Sequence, residues 1–322
     1  MEKLFTSILK DAISQQASDV HFIPSQKHVL IKLRIHGDMH DYDKIAINQF
    51  EKLLSYLKFI THLDVSEKNK AQSGTLNFDL NAIHYNVRAS TLPHSVGHEA
   101  CVLRIIPTNF NEKADIEDDL LHLMHKGSGL ILISGPTGSG KSTLMYHLLQ
   151  YAVANLSKQV ISIEDPVEQR IEGMIQINVN AKGNITYQNS LKAILRCDPD
   201  IIMIGEIRDA DTAKNVINAS LSGHLVLSTL HANSCLGAIH RLMEMGISKV
   251  ELEQSVERII NQRLVNTHSG RRRVYEQLNK SECRNYLSNQ SLDSYLSINN
   301  QLNKMLDNNE ITLMEHERYV TE

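Results

Sequence analysis

Four cysteines, Cys101, Cys197, Cys235 and Cys283, are spread through 322 residues with no C-x-x-C pair among them. Nothing in that spacing supports a disulfide framework or a zinc site, and reduced thiols in a cytoplasmic protein are the plain reading. Long apolar runs are missing too. The longest, such as "GLILIS" and "DIIMIG", fall far short of the ~18 residues that a membrane span requires. The opening "MEKLFTSILKDAISQQ" repeats its apolar residues near every 3.6 positions and carries Glu2 and Asp11, so an amphipathic helix is expected there and not a signal peptide. Charge of one sign is scarce: 33 Lys and Arg against 37 Asp and Glu leave a net −4. That balance offers no general attraction to nucleic acid. No internal repeat or low-complexity tract stands out.

What is present is the composition of a soluble globular protein, 42% hydrophobic and 22% charged, in a chain long enough for two domains. Residues 1–106 read as helix, strand, strand, helix and then several strands. "DVHFIP" and "HVLIKLRI" are extended, "HGD" turns into a next strand, and "INQFEKLLSYLKFI" is an amphipathic helix. "GTLNFDL", "IHYNVRAST" and "EACVLRIIP" alternate as an antiparallel sheet does. Residues 107–119 are polar and acidic and are expected to be a linker. From residue 120 to 280, buried strands ("GLILIS", "QVISIE", "DIIMIG", "HLVLSTL") alternate with helices. That grammar predicts an α/β domain with a parallel sheet covered on both faces. A polar, helix-like segment follows at 281–322.

The first of those strands runs into "GPTGSGKST", residues 135–143. Gly135, Gly140, Lys141 and Ser142 satisfy G-x-x-x-x-G-K-[ST], and the strand before and helix after are the context that the motif needs. Small residues let backbone N–H groups curl around phosphate oxygens, and the following helix aims its positive end at the same anion. Gly135, Pro136, Thr137, Gly138, Ser139, Gly140, Lys141, Ser142 and Thr143 are therefore expected to hold a nucleotide triphosphate. Lys141 would reach the β- and γ-phosphates, and the Ser142 hydroxyl would be a ligand for Mg²⁺.

Ligands of open parallel sheets sit beyond the carboxyl ends of the strands. The polar residues delivered there are Glu164 and Asp165, Glu206, and His231. Hydrolysis needs one acidic function near Mg²⁺ and another that orients and deprotonates water. Glu206 and Glu164 are the two carboxylates for these tasks, and His231 is placed to sense the γ-phosphate. His224 begins the strand that His231 ends. Seven extended residues span ~23 Å, so both cannot touch one phosphate.

Three of these strand ends lie in longer stretches: "ISIEDPVEQR" (161–170), "LRCDPDIIMIGEIRDADTA" (195–213) and "SGHLVLSTLHAN" (222–233). They resemble the Asp box, Walker-B region and His box of the secretion ATPases, which drive type II secretion and the assembly of type IV and transformation pili. "ASDVHFIP" (17–24), "KLRIHGDM" (32–39) and "NVRASTLPHSVGHEACVLRII" (86–106) resemble the amino-terminal half of the same family. The resemblance implies a small α+β, PAS-like amino-terminal domain, a RecA-like P-loop ATPase domain and a helical carboxyl-terminal tail. It also implies ATP as the nucleotide, a homohexamer, and a polytopic inner-membrane platform protein as partner at the cytoplasmic face of the membrane, without direct nucleic-acid binding. Carried over residue by residue, it gives Glu164 as general base and Glu206 in the Mg²⁺ shell, with the exchange of the two left open. Arg88 and Arg104 become arginine fingers, with Arg34 a weaker third. The chain passes from "NQRLVNTHS" directly to "GRRRVYEQL" without the four-cysteine zinc insert of many secretion and pilus-extension members, and no further docking domain is expected before "ASDVHFIP". These departures, with "GRRRVYEQL" itself, make it most similar to the competence-pilus assembly branch of Gram-positive bacteria. Pilus retraction and type II secretion are the alternatives within the family. A DNA-translocating motor is the alternative outside it, supported only by Arg271, Arg272 and Arg273.

Overall fold

The computed structural model describes every residue except 81, 82, 96, 108–115, 181, 182, 184, 290, 291, 293, 294, 321 and 322. The chain divides into two compact units, Met1–Asn111 and Glu112–Glu322. Most of the expected linker, 108–115, lies outside the described residues.

The first unit runs α1 (Glu2–Ser14), β1 (Ala17–Pro24), β2 (His28–Ile35), β3 (Asp38–Ala46), α2 (Ile47–Ile60), β4 (Gln72–Leu80), β5 (Ile83–Pro93) and β6 (Glu99–Pro107). Its strands form one antiparallel sheet in the order β3-β2-β1-β6-β5-β4. The expected amphipathic start is α1, which buries Phe5, Ile8, Leu9 and Ala12, the i, i+3, i+4, i+7 stripe of a helix that packs on one side. These side chains meet Phe50, Leu53, Leu54 and Leu57 of α2 and the inward residues Val20, Phe22, Ile31, Leu33, Val87 and Leu103 of the sheet. Each fully buried side chain of this size contributes about 1.5–3 kcal/mol. Lys58 of α2 ties that helix to β6 through a buried pair with Glu99, 2.7 Å apart. β3 is the strand that follows the "HGD" turn; of its nine residues only Ile45 is buried, which leaves it without the alternation that marks its neighbours.

The opposite face of this sheet is polar, and its register lines up three arginines. Arg88 of β5 stands beside Arg104 of β6, Arg104 beside Asp19 of β1, and Asp19 beside Arg34 of β2. Asp19, 3% exposed, holds Arg104 Nε at 2.9 Å and Arg34 Nε at 3.8 Å. Arg88 Nε donates to Ser73 Oγ at 2.9 Å.

The second unit starts with α3 (Asp118–His122) and a 3-10 turn at Leu123–His125, then β7 (Gly129–Ser134), α4 (Lys141–Asn155), β8 (Val160–Glu164), β9 (Ile175–Asn178), α5 (Tyr187–Ile194) and β10 (Ile201–Ile204). It continues with α6 (Ala210–Leu221), β11 (Leu225–Leu230), α7 (Cys235–Glu244), α8 (Lys249–Ser255), β12 (Val256–Thr267), β13 (Gly270–Asn279), α9 (Lys280–Asn289), α10 (Ile298–Asp307) and α11 (Leu313–Tyr319). The sheet order is β13-β12-β7-β11-β10-β8-β9, parallel throughout except for the β12–β13 hairpin. The four strands read from the sequence are β7, β8, β10 and β11, and every residue in them is buried. Strands buried on both faces need no alternation, which is why they appear as solid apolar runs.

β9 and the long hairpin extend the sheet beyond those four strands. The hairpin is the platform for the tail: Val265 and Val274 pack with Ile298, Leu302, Met305 and Ile311. The buried carboxylate of Glu276 on β13 accepts from the backbone N–H of Cys235, which opens α7, at 2.6 Å, and from that of Ile298, which opens α10, at 2.9 Å. Negative charge at these two helix starts satisfies N–H groups that have no partner within the helix.

Candidate active site

β7 ends at Ser134, and the chain turns through Gly135 to Gly140 into α4, with positive φ at Gly135 (142°), Gly138 (80°) and Gly140 (85°). At two of these positions, space as well as φ demands glycine. A Cβ on Gly135 would lie 2.5 Å from the carbonyl oxygen of Gln262, and one on Gly140 would lie 2.8 Å from the Gln262 amide nitrogen. The loop is thus pressed against β12. Gly140 caps α4 without a side-chain hydrogen bond, so the first N–H groups of this fifteen-residue helix face the loop. Such a terminus favours an anion.

Lys141 is 9% exposed, and its ammonium donates to the carbonyls of Gly135 and Pro136, each at 2.9 Å. Burial is the largest influence on it and lowers its pKa to about 8, with Arg263 adding to the shift and Glu206 and Glu168 opposing it. Ser142 and Thr143 follow in the first turn of α4, both half-buried.

Glu206 stands just past β10. Its Oε2 accepts from Arg208 Nε at 2.9 Å, and its Oε1 lies 3.3 Å from His231 Nε2. His231 stands just past β11; burial lowers its pKa first and the charge of Lys141 second, against the pull of Glu206 and a backbone hydrogen bond at Gly135, and the net lowering favours the neutral imidazole. Lys141, Gly135, Glu206 and His231, from three strand ends, therefore converge. Beside them opens a cleft of about 450 Å³ lined by Gly135, Pro136, His231, Ala232, Asn233 and Arg241, among others. That volume is in the range of small-ligand sites.

Glu164 ends β8 but faces inward. It is 3% exposed, and its carboxylate accepts from Tyr146 of α4, from Ser162 at 2.5 Å and from Gln176 of β9 at 3.2 Å. Burial raises its pKa in spite of these donors. Asp165 faces Arg208 at 3.5 Å. His224 Nδ1 lies 3.3 Å from the Ala219 carbonyl, at the start of β11 and away from the glycine loop. Two arginines of the basic cluster are engaged within their own unit: Arg272 pairs with Glu310 at 2.6 Å, and Arg273 pairs with Glu117 at 2.5 Å and lies over the Tyr275 ring. Arg88 and Arg104 belong to the row on the amino-terminal sheet described above.

Three residues at this site escaped the sequence reading. Asn261, Gln262 and Arg263 of β12 contact Ser134, Ser139, Ala232 and Asn233, which flank or belong to the glycine loop and the His231 loop. Their signal was a polar triplet set inside an otherwise apolar strand, "IINQRLV".

The model of the type II/IV secretion system protein family matches residues 1–320. The chain belongs to that family. Among its members, competence protein ComGA of Bacillus subtilis is 38% identical over 82% of this chain and 76% of its own length. The type II secretion system protein E of Dickeya dadantii is 40% identical over 82% of this chain, but only 54% of its own length is spanned. The chain thus covers about half of the type II relatives it matches. Among solved structures, the pilus retraction motor PilT with bound ADP superimposes with a TM-score of 0.74 at 29% identity, covering 98% of this chain and 96% of PilT. The ATPase DotB of Yersinia pseudotuberculosis gives a TM-score of 0.78 at 20% identity, over 99% of this chain and 93% of DotB, which shows the shared α/β fold. Among the described residues no helix is long and apolar enough to cross a membrane.

Proposed function

We propose that this protein is an ATPase of the secretion family that works as a homohexameric motor for assembly of a competence pilus. The observation that carries the reading is the meeting of His231, Glu206 and Lys141 at the glycine loop. The PAS-like reading of the amino-terminal unit and the RecA-like reading of the other rest on the family likeness.

In this mechanism the N–H groups of residues 135–143 enclose the β- and γ-phosphates. The Lys141 ammonium exchanges the carbonyls of Gly135 and Pro136 for phosphate oxygens. Ser142 supplies a hard oxygen donor of the kind that suits Mg²⁺, which seldom needs an all-protein cage. The ion, when bound, would neutralise charge on the phosphates. Of the two carboxylates, the geometry favours Glu206 as the general base, the role first given to Glu164, and leaves Ser142 as the Mg²⁺ ligand. Glu164 is buried and committed to three donors, whereas Glu206 is partly exposed and stands beside His231, which lines the cleft. Glu206 then orients the attacking water and takes its proton as the oxygen bonds to the γ-phosphorus. The bond to the β-phosphate oxygen breaks, and ADP leaves with the electron pair. Neutral His231 reports the γ-phosphate to the loop after β11. Arg88 and Arg104 act as arginine fingers on assembled subunits, a contribution worth ~10³-fold or more in other nucleotidases.

The competence role, in place of type II secretion, is supported by the likeness to ComGA and by the direct run from "NQRLVNTHS" to "GRRRVYEQL" without a four-cysteine insert. The partner would be a polytopic platform protein at the cytoplasmic face. The likeness to PilT favours retraction as a second reading. Deleting the gene separates them, because an assembly motor leaves cells without pili and a retraction motor leaves them with more. Complementation with Glu206→Gln must fail in either case, and restored piliation by that variant would overturn the motor reading.

A further inference from the structure

Asn261, Gln262 and Arg263 are consecutive, yet they are 0%, 1% and 3% exposed, between Ile259–Ile260 on one side and Leu264–Val265 on the other. Three successive buried polar side chains in a sheet strand are unfavourable unless each is partnered. Here the partners are the parts of the nucleotide site. Asn261 Nδ2 donates to Ser134 Oγ at 2.8 Å and to the Ala232 carbonyl at 2.9 Å. Gln262 Nε2 donates to the Ser139 carbonyl, inside the glycine loop, at 2.5 Å. Arg263 spreads its guanidinium over Asn261 Oδ1 at 2.8 Å, the Gln262 carbonyl at 3.0 Å and the Asn233 carbonyl at 2.8 Å.

Register explains how one strand reaches both loops. β12 lies parallel to β7 with Asn261 opposite Ser134, the residue at which β7 gives way to the loop. The triplet is therefore level with the cradle. Side chains alternate in direction along a strand, so Asn261 and Arg263 share a face, and Arg263 reaches Asn261 Oδ1, the Gln262 carbonyl and the His231 loop together. The fit is tight at the glycines as well: Gln262 fills the space that a Cβ on Gly135 or Gly140 would need.

We propose that this triplet is a pair of positioning devices on one strand. Gln262 sets the glycine loop for the nucleotide's phosphates, while Asn261 and Arg263 set the loop that carries His231 for the cleavage step. The division is physical, since Ser139 belongs to the cradle common to ADP and ATP, whereas Ala232 and Asn233 directly follow the residue assigned to the γ-phosphate. The inference rests on the nucleotide reading above.

The test uses the full-length chain with Mg²⁺, a fluorescent ADP analogue for affinity and phosphate release for kcat and KM. Gln262→Leu is expected to weaken ADP binding and raise KM for ATP, each about ten-fold, roughly the effect of one hydrogen bond. Arg263→Lys, which keeps the charge and loses the fork, is expected to bind ADP within two-fold of the parent and lose kcat about ten-fold. Gln262→Glu, which keeps the volume and removes the amide donor, replaces Gln262→Leu should circular dichroism show that variant unfolded. A merely structural triplet would lower the melting temperature of both variants without splitting affinity from turnover, and that result overturns the proposal. Lys141→Ala is the control. If it binds ADP as the parent does, the nucleotide reading itself fails. If it loses ADP while both β12 variants behave as the parent, only the present inference fails.

Discussion

The two sheets carry their functional residues in opposite ways. In the antiparallel sheet of the first unit, Arg88, Arg104 and Arg34 stand mid-strand on a polar face, spaced by register and tethered to Asp19 or Ser73. In the parallel sheet of the second, the middle of each central strand is packed apolar side chain, and Glu206 and His231 emerge only where a strand stops. One arrangement presents a surface to something that arrives. The other gathers groups from distant parts of the chain around a fixed point. The proposed motor would use both kinds, a rigid site for chemistry and a separate arginine-bearing face.

The contrast can be broken most severely at Lys141. Lys141→Ala should reduce phosphate release by about 10³-fold or more, since it removes the only full positive charge inside the loop. Arg88→Ala tests the other sheet and should cost about 10²-fold in kcat while leaving ADP affinity and melting temperature unchanged, because among the described residues its side chain bonds the Ser73 hydroxyl. Unaltered turnover would remove the sheet face from the mechanism.

Acidity offers a gentler probe. Lys141 has a pKa of about 8 in the folded protein, lowered by burial, and its ammonium is the form that attracts phosphate. As pH rises through 8, more of the free protein carries the neutral amine, so KM for ATP should climb, by about ten-fold per unit well above that pKa. A KM flat from pH 7 to 9.5 would contradict the assignment. Tyr146→Phe takes a donor from buried Glu164 and should lower stability by about 1–3 kcal/mol in denaturant titrations. Smallest of all, Arg272→Ala loses a mostly exposed pair with Glu310 and should change stability by less than about 1 kcal/mol. It should leave turnover untouched.

Much of the site was legible in the sequence, because a glycine loop between strand and helix, and polar residues directly after apolar runs, are local patterns. What was not legible depends on contacts made far along the chain. Gln262 meets Ser139 across 123 positions, and Asn261 meets Ser134 across 127, so no window of sequence contains both partners. Glu164 was found by its place at a strand end, yet which way its carboxylate faces is decided by Tyr146 and Gln176, neither of them adjacent. The amino-terminal arginines were picked out singly. Their alignment into one row follows only from the pairing of β5 with β6 and of β6 with β1. β3 is exposed along nearly its whole length, with only Ile45 buried, and is held by its hairpin with β2, so no burial alternation marks it.

Glu276 leaves a final lesson about the carboxyl-terminal segment. A single anion serves as the foundation stone for two helices, one beginning four positions after His231 and the other opening the tail. Cutting the chain before Ile298 would therefore do more than shorten an appendage. Water would enter beside that carboxylate, the start of α7 would lose its shared footing, and the disturbance would reach the His231 loop from behind.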